Sequence, residues 1–105
     1  MKHLDTILTK MHEMVGCEYN GIPTESDWYV QNKWTQEQGD EFIEWMTGYL
    51  MNDSGARREM MRWPYKVKRN CLKAAKQFVY IYGWTIEQAI IIYGLYTNRK
   101  YDNNN

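Results

Sequence analysis

The chain has 105 residues, of which 44% are hydrophobic and 25% are charged. This size and composition predict one globular domain with its own core and exclude a disordered or fibrous chain. The longest apolar run, residues 89–93, is too short for a membrane-spanning helix, so we expect no membrane partner.

The formal net charge is zero, but the two halves of the chain carry opposite charges. Residues 1–55 contain three basic and ten acidic side chains, whereas residues 56–105 contain ten basic and three acidic ones. Such asymmetry indicates either a negatively charged partner for the basic half or pairing between the two halves.

Cysteine usage and the first residues predict a cytoplasmic protein. Cys17 and Cys71 are isolated in the sequence, so we expect neither a disulfide framework nor a cysteine metal site. The opening residues show no signal-peptide pattern, because charged residues interrupt the apolar ones.

The first predicted helix covers residues 3–15. Apolar side chains recur there at spacings of three and four, and Gly16 is placed to end the helix in a left-handed conformation. His3 and His12 lie nine residues apart, which does not fit two metal ligands on one helix. We therefore expect both histidines to be solvated.

Residues 17–34 are predicted to form an irregular loop. Asn20, Gly21 and Pro23 are turn formers, and the residues that follow them are polar. A loop of this length is often packed down by its own side chains, and we expect Trp28 and Tyr29 to pin it to the helices.

The second predicted helix covers residues 35–52. Thr35 and Gln38 form a capping box at its start, and apolar residues recur along one face. A second face is acidic, and this candidate acidic interaction face consists of Glu37, Asp40, Glu41 and Glu44.

Two further helices are predicted over residues 55–62 and 65–82, separated by Pro64. Cys71 falls within the apolar stripe of the longer helix, which indicates a core residue rather than a nucleophile. Basic side chains recur with helical spacing on another side. The candidate basic interaction face consists of Arg62, Lys66, Arg69, Lys73 and Lys76.

The last part of the chain predicts a fifth helix. Thr85 and Gln88 form a second capping box before an apolar run, which favours a helix over residues 85–97. The polar residues 98–105 predict a disordered tail. The sequence as a whole predicts an all-α protein, with residues 1–105 folded as a single compact bundle of four to five helices.

The aromatic residues around the predicted helices resemble a pattern in small accessory proteins of tailed bacteriophages and related mobile elements. The pattern extends over residues 34–84 and includes Trp34-Thr35, Phe42, Trp45, Tyr49-Leu50, Ala56-Arg57 and Tyr82-Gly83-Trp84. The resemblance implies a role in nucleic-acid handling, regulation or interference with host defence, and a location in the host cell cytoplasm. It carries over no functional residue.

The sequence favours a non-enzymatic binding protein. It contains no glycine-rich phosphate loop, no cluster of metal ligands and no nucleophile with a partnered base, so we expect no catalytic residue, metal or cofactor. The first hypothesis is docking on another protein through the charged and aromatic helix faces, as an inhibitor of host defence or a regulator.

The alternative hypothesis is nucleic-acid binding by the basic helix 65–82. Cationic side chains would follow the phosphate backbone, and aromatic side chains would stack on bases. A homodimer, with the acidic face of one copy on the basic face of another, is a third hypothesis. If the two faces instead pair within one chain, an outside polyanion is disfavoured. The candidate aromatic contacts are Trp63, Tyr65 and Tyr80.

Overall fold

A computed structural model describes residues 1–83, and all regular secondary structure in this part of the chain is helical, without strands. The all-α prediction is confirmed for these residues. The predicted helix 85–97 and tail 98–105 lie outside them. None of the described helices is long and apolar enough to cross a membrane. In chain order the elements are α1 (Lys2–Glu13), a 3-10 segment (Glu25–Lys33), α2 (Gln36–Asn52), α3 (Ser54–Met61) and α4 (Tyr65–Tyr82).

Local signals at the helix ends act as predicted. Gly16 follows α1 with a φ of 73°, a conformation that costs glycine little because it has no Cβ. The Thr35 side chain accepts a hydrogen bond from the Gln38 N–H, and the Gln38 side chain accepts one from the Thr35 N–H. The Asp53 carboxylate caps α3 by accepting from the Ala56 N–H at 3.0 Å. Each contact satisfies a backbone donor that the helix itself leaves unpaired.

The prediction of an irregular loop over residues 17–34 is wrong in its second half, where the 3-10 segment forms. Trp28, Gln31 and Trp34 are all buried there, at intervals of three residues. A 3-10 helix has three residues per turn, so this spacing places the three side chains in one row. The expectation that Trp28 pins the segment is confirmed, and Tyr29 is half-buried.

The core is built around α1, which packs against the 3-10 segment, α2 and α3. The apolar positions of α1 are almost completely buried, and they share one cluster with the inner faces of α2 and α3. Burying each such side chain stabilises the fold by about 1.5–3 kcal/mol. The buried residues of α1 are Leu4, Ile7, Leu8 and Met11.

Aromatic side chains close the core where the 3-10 segment meets α2 and the start of α4. The Trp34 and Phe42 rings lie 4.8 Å apart between centroids, and Trp28 meets Trp63 edge-on at 6.3 Å. The Trp34 Nε1–H also donates to the carbonyl of Met11 at 3.3 Å. The helix α4 packs against the 3-10 segment and α2, and it buries Asn70 and Cys71.

Candidate functional site

The outer face of α4 carries four of the five residues predicted as the basic interaction face. Lys66, Arg69, Lys73 and Lys76 are all exposed. At 3.6 residues per turn these four positions lie within about 80° of the helix circumference and extend over about 15 Å. We call this set of four residues the α4 basic face.

Two exposed tyrosines lie at the ends of the α4 basic face. Tyr65 is 77% exposed in the first turn of α4, and Tyr80 is 91% exposed near its last turn. By helical geometry Tyr80 lies within the same arc as the cations, and Tyr65 lies about 20° beyond its edge. Both rings are therefore exposed to solvent.

Trp63 is not available, and its prediction as an aromatic contact is wrong. Its side chain is only 2% exposed, and its Nε1–H donates to a Glu59 carboxylate oxygen at 3.0 Å. A tryptophan with its ring in the core and its N–H satisfied internally has a structural role. The sequence placed it among basic residues, which gave no sign that Pro64 turns it inwards.

Arg62 is exposed but does not belong to the α4 basic face, because it lies at the C-terminal cap of α3. It lines a groove of about 530 Å³ between the start of α1 and α3. Lys2 and Arg58 line the same groove. The structure thus divides the predicted basic face into two adjoining parts.

The predicted acidic face is exposed on α2. Glu37, Asp40, Glu41 and Glu44 all lie on the solvent side of that helix. Trp45 is half-buried beside them, with the Lys10 Nζ 5.7 Å from its ring centroid. A groove of about 410 Å³ lies next to Trp45 and is also lined by acidic residues of α1, Asp5 and Glu13.

Within residues 1–83 no ion pair joins the acidic face of α2 to the α4 basic face. The ion pairs in this part of the chain both involve histidines of α1. Both faces point to solvent. No contact between described residues therefore supports the hypothesis that one charged helix neutralises the other. The opposite charges are available for partners.

Sequence reasoning missed the polar junction between α1 and α3. The Glu59 carboxylate accepts hydrogen bonds from the backbone N–H groups of His3 at 3.0 Å and Leu4 at 2.8 Å, in addition to Trp63. Burial raises the pKa of Glu59, but the N–H donors of His3, Trp63 and Leu4 outweigh it and lower the pKa from 4.5. Glu59 therefore caps α1 from a distant helix, which no local pattern reveals.

The expectation of solvated histidines is wrong for both. His3 Nδ1 is hydrogen-bonded to the Tyr49 hydroxyl. His12 Nε2 lies 2.9 Å from an Asp27 carboxylate oxygen, and the Tyr19 ring lies 5.7 Å from the His12 ring. Helices and the 3-10 segment cover the flanks of α1 on which the histidines lie. This burial depends on tertiary packing, which the residue pattern of a single helix does not reveal.

Burial and two carboxylates also act on Tyr19. Burial, with the Asp5 and Asp27 carboxylates, raises the pKa of Tyr19 to about 12. Its hydroxyl is therefore protonated at neutral pH and donates to Asp5 at 3.4 Å. This contact joins the segment after α1 to the helix itself, which is a structural role.

Both cysteines are free thiols, and they differ in burial. Cys71 is buried, as predicted, and burial raises the pKa of its thiol. Cys17 is exposed. Among residues 1–83 no three His, Cys, Asp or Glu side chains are grouped closely enough to hold a metal ion.

Comparison with known proteins identifies no relative of this chain. No protein-family model matches the chain, and no curated protein and no solved structure shows significant similarity to it. Arguments about function therefore rest on the two charged faces and on the groove between α1 and α3.

Proposed function

We propose that this protein is a small, non-catalytic nucleic-acid-binding protein that uses the α4 basic face. Lys66, Arg69, Lys73 and Lys76 would contact successive backbone phosphates. Tyr65 and Tyr80 would stack on unpaired bases at the two ends. The observation that supports this most strongly is that four exposed cations share one arc of α4, with no acidic side chain of residues 1–83 paired to them.

The expected binding is electrostatic and independent of sequence. Each cation that neutralises a phosphate releases a condensed counterion, so four contacts give a slope of about −3 in log affinity against log salt. Contacts to phosphates and stacking on bases carry no base-edge readout, so a complex built on them does not depend on sequence. Because the chain has no net charge, its acidic face would orient it on the nucleic acid.

The proposal is tested by fluorescence anisotropy with labelled single- and double-stranded oligonucleotides, starting at about 50 mM salt, where phosphate contacts are strong. We expect the wild-type protein to bind with the slope given above, and the variant Arg69→Glu with Lys73→Glu to lose binding. Lys33→Glu is the control, because it reverses an exposed charge that does not belong to α4. No binding by the wild-type protein, or equal binding by the double variant, would refute the proposal.

A second candidate function is docking on a basic protein through the acidic face of α2. It is favoured by the half-buried Trp45 and the groove beside it, where Asp5 and Glu13 add negative charge. An arginine or lysine of the partner could pair with these carboxylates, beside the Lys10 that already lies over the indole. The resemblance to phage accessory proteins would make this partner a host-defence or regulatory protein in the cytoplasm.

The two candidates give different results in a pull-down from host lysate. Docking through α2 predicts a stable partner that is lost on Glu41→Lys with Glu44→Lys and is retained by Arg69→Glu with Lys73→Glu. A homodimer, in which the acidic face of one copy covers the basic face of another, predicts a doubled mass that either pair of reversals abolishes. A monomer that captures no partner would refute both docking modes and leave the nucleic-acid proposal unaffected.

A further inference from the structure

The groove between the first turn of α1 and α3 concentrates positive charge from two elements that are distant in sequence. Lys2 enters it from α1, Arg58 from α3 and Arg62 from the end of α3. All three side chains are exposed. Its volume of about 530 Å³ falls within the range of about 300–1,000 Å³ that small-molecule sites occupy.

The acidic residue in this groove, Glu59, is already engaged by the fold. Its carboxylate accepts the two backbone N–H groups at the start of α1 and the Trp63 indole N–H. Among residues 1–83 it forms no ion pair with Arg58 or Arg62, and Arg58 makes one long hydrogen bond there, to Ser54 Oγ at 3.4 Å. The groove therefore carries a net positive charge, because its three cations outnumber its one carboxylate, which is already hydrogen-bonded.

We propose that this groove is a phosphate-binding subsite, in which Lys2, Arg58 and Arg62 hold one phosphate group. Guanidinium groups present planar, forked N–H donors that match phosphate oxygens, and lysine adds a point charge. The inference rests on the proposed function to the extent that the phosphate belongs to a nucleic acid. What the inference adds to the proposed function is a site on α1 and α3, outside the α4 basic face.

The groove adjoins the α4 basic face along the chain. Arg62 is the C-terminal cap of α3, and α4 begins three residues later, after Pro64. Lys66, in the first turn of α4, is one residue further on. In this proposal, a strand that follows the α4 basic face continues into the groove at Arg62. The phosphate there is either a terminal phosphate or the next phosphate of the backbone.

The subsite is tested with Lys2→Gln and Arg58→Gln combined, and with Lys33→Gln as the control for the loss of an exposed cation. Anisotropy compares an oligonucleotide that carries a 5′-phosphate with the same oligonucleotide carrying a 5′-hydroxyl. We expect the double variant to bind about tenfold more weakly and its salt slope to fall by about 1, because the groove neutralises one phosphate. If the double variant loses only the tighter binding of the 5′-phosphorylated oligonucleotide, the groove holds a terminal phosphate. Equal weakening of both ligands assigns a backbone phosphate.

Nuclear magnetic resonance with inorganic phosphate and pyrophosphate separates this inference from the proposed function. We expect saturable shifts of the His3 amide and of the Arg58 and Arg62 side-chain N–H signals, and their loss in the double variant. Such shifts without any oligonucleotide binding would support the groove and refute nucleic-acid binding. Oligonucleotide binding that is unchanged in the double variant, together with unshifted groove signals, would refute the groove and leave the α4 basic face intact.

Discussion

The α1–α3 junction and the outer faces of α2 and α4 use charged residues in opposite ways. At the junction, Glu59 accepts three N–H donors and Asp53 caps α3. On the outer faces, four acids and four cations point to solvent and form no ion pair with one another within residues 1–83. Charge at the junction holds helices together, whereas charge on the outer faces remains available for binding.

This difference separates residues that stabilise the fold from residues that serve binding. Exposed ion pairs contribute only about 0–1 kcal/mol, so unpaired surface charges can change without affecting the fold. A carboxylate that caps a helix and accepts a hydrogen bond from an indole N–H cannot be replaced without affecting the fold. Substitutions at the two kinds of position should therefore affect different measurements, stability in the first case and binding in the second.

The largest stability effect is expected for Glu59→Ala. Removing the carboxylate leaves the N–H groups of His3 and Leu4 and the buried Trp63 indole without their acceptor, so the free energy of unfolding should fall by about 3 kcal/mol. Urea denaturation measures this value. Glu44→Ala, which removes a carboxylate from the acidic face of α2, should change it by less than about 0.5 kcal/mol. Equal losses in the two variants would remove the distinction between the junction and the outer faces.

The junction should also make stability depend on acid pH. The N–H donors lower the pKa of Glu59 from 4.5 despite its burial, and the Ala56 N–H lowers the pKa of Asp53 from 3.8. The folded state then binds fewer protons than the unfolded state, so this stabilisation is present above about pH 4.5 and is lost as pH falls through the lowered pKa values. Urea midpoints should be constant from about pH 7 to pH 5 and decline below pH 4.5. Glu59→Gln should show a shallower decline.

A smaller effect is expected for Thr35→Ala at the start of α2. The change removes the hydroxyl that accepts from the Gln38 N–H at 3.2 Å, and loss of such a cap costs about 1 kcal/mol. The free energy of unfolding from urea denaturation checks it. Thr9→Ala, at an exposed position within α1, serves as the control and should be neutral or slightly stabilising, because alanine is the better helix former. A neutral Thr35→Ala would show that the capping box does not limit stability.

The smallest effect is expected when the acidic face of α2 is neutralised. Glu41→Gln with Glu44→Gln should leave the free energy of unfolding within about 0.5 kcal/mol of the wild-type value. Oligonucleotide affinity should rise by less than about threefold, because only long-range repulsion of phosphate is removed. Anisotropy at low salt measures the change. A marked loss of stability would instead indicate that these acids pair with basic residues inside the chain.

The sequence predicts those features that depend on neighbouring residues. The capping box of Thr35 and Gln38, the left-handed Gly16 and the apolar stripe of α1 are local, and all three are found. The 3-10 segment was missed because its three-residue spacing includes Gln31, a polar residue that is fully buried. Burial of such a residue depends on packing that a pattern of apolar positions does not anticipate.

The candidate surfaces were predicted in part, for a similar reason. Helical spacing identifies Lys66, Arg69, Lys73 and Lys76 as one face, because they belong to one helix. The groove at Lys2, Arg58 and Arg62 lies between two helices that Glu59 joins, and Lys2 is more than fifty positions from the two arginines in the sequence. Composition and periodicity contain no information on which residues of distant helices come into contact.

The cap that Glu59 supplies to α1 has a consequence for the order of folding during synthesis. Leu4 and Glu59 are 55 residues apart, so α1 leaves the ribosome without the acceptor for its first N–H groups. At about 5–20 residues per second, that acceptor follows about 3–11 s later. A helix of 12 residues is marginal on its own, and the first turn of α1 gains its cap only when α3 is complete and docks on it. The first helix to be made is therefore among the last to be fixed in place.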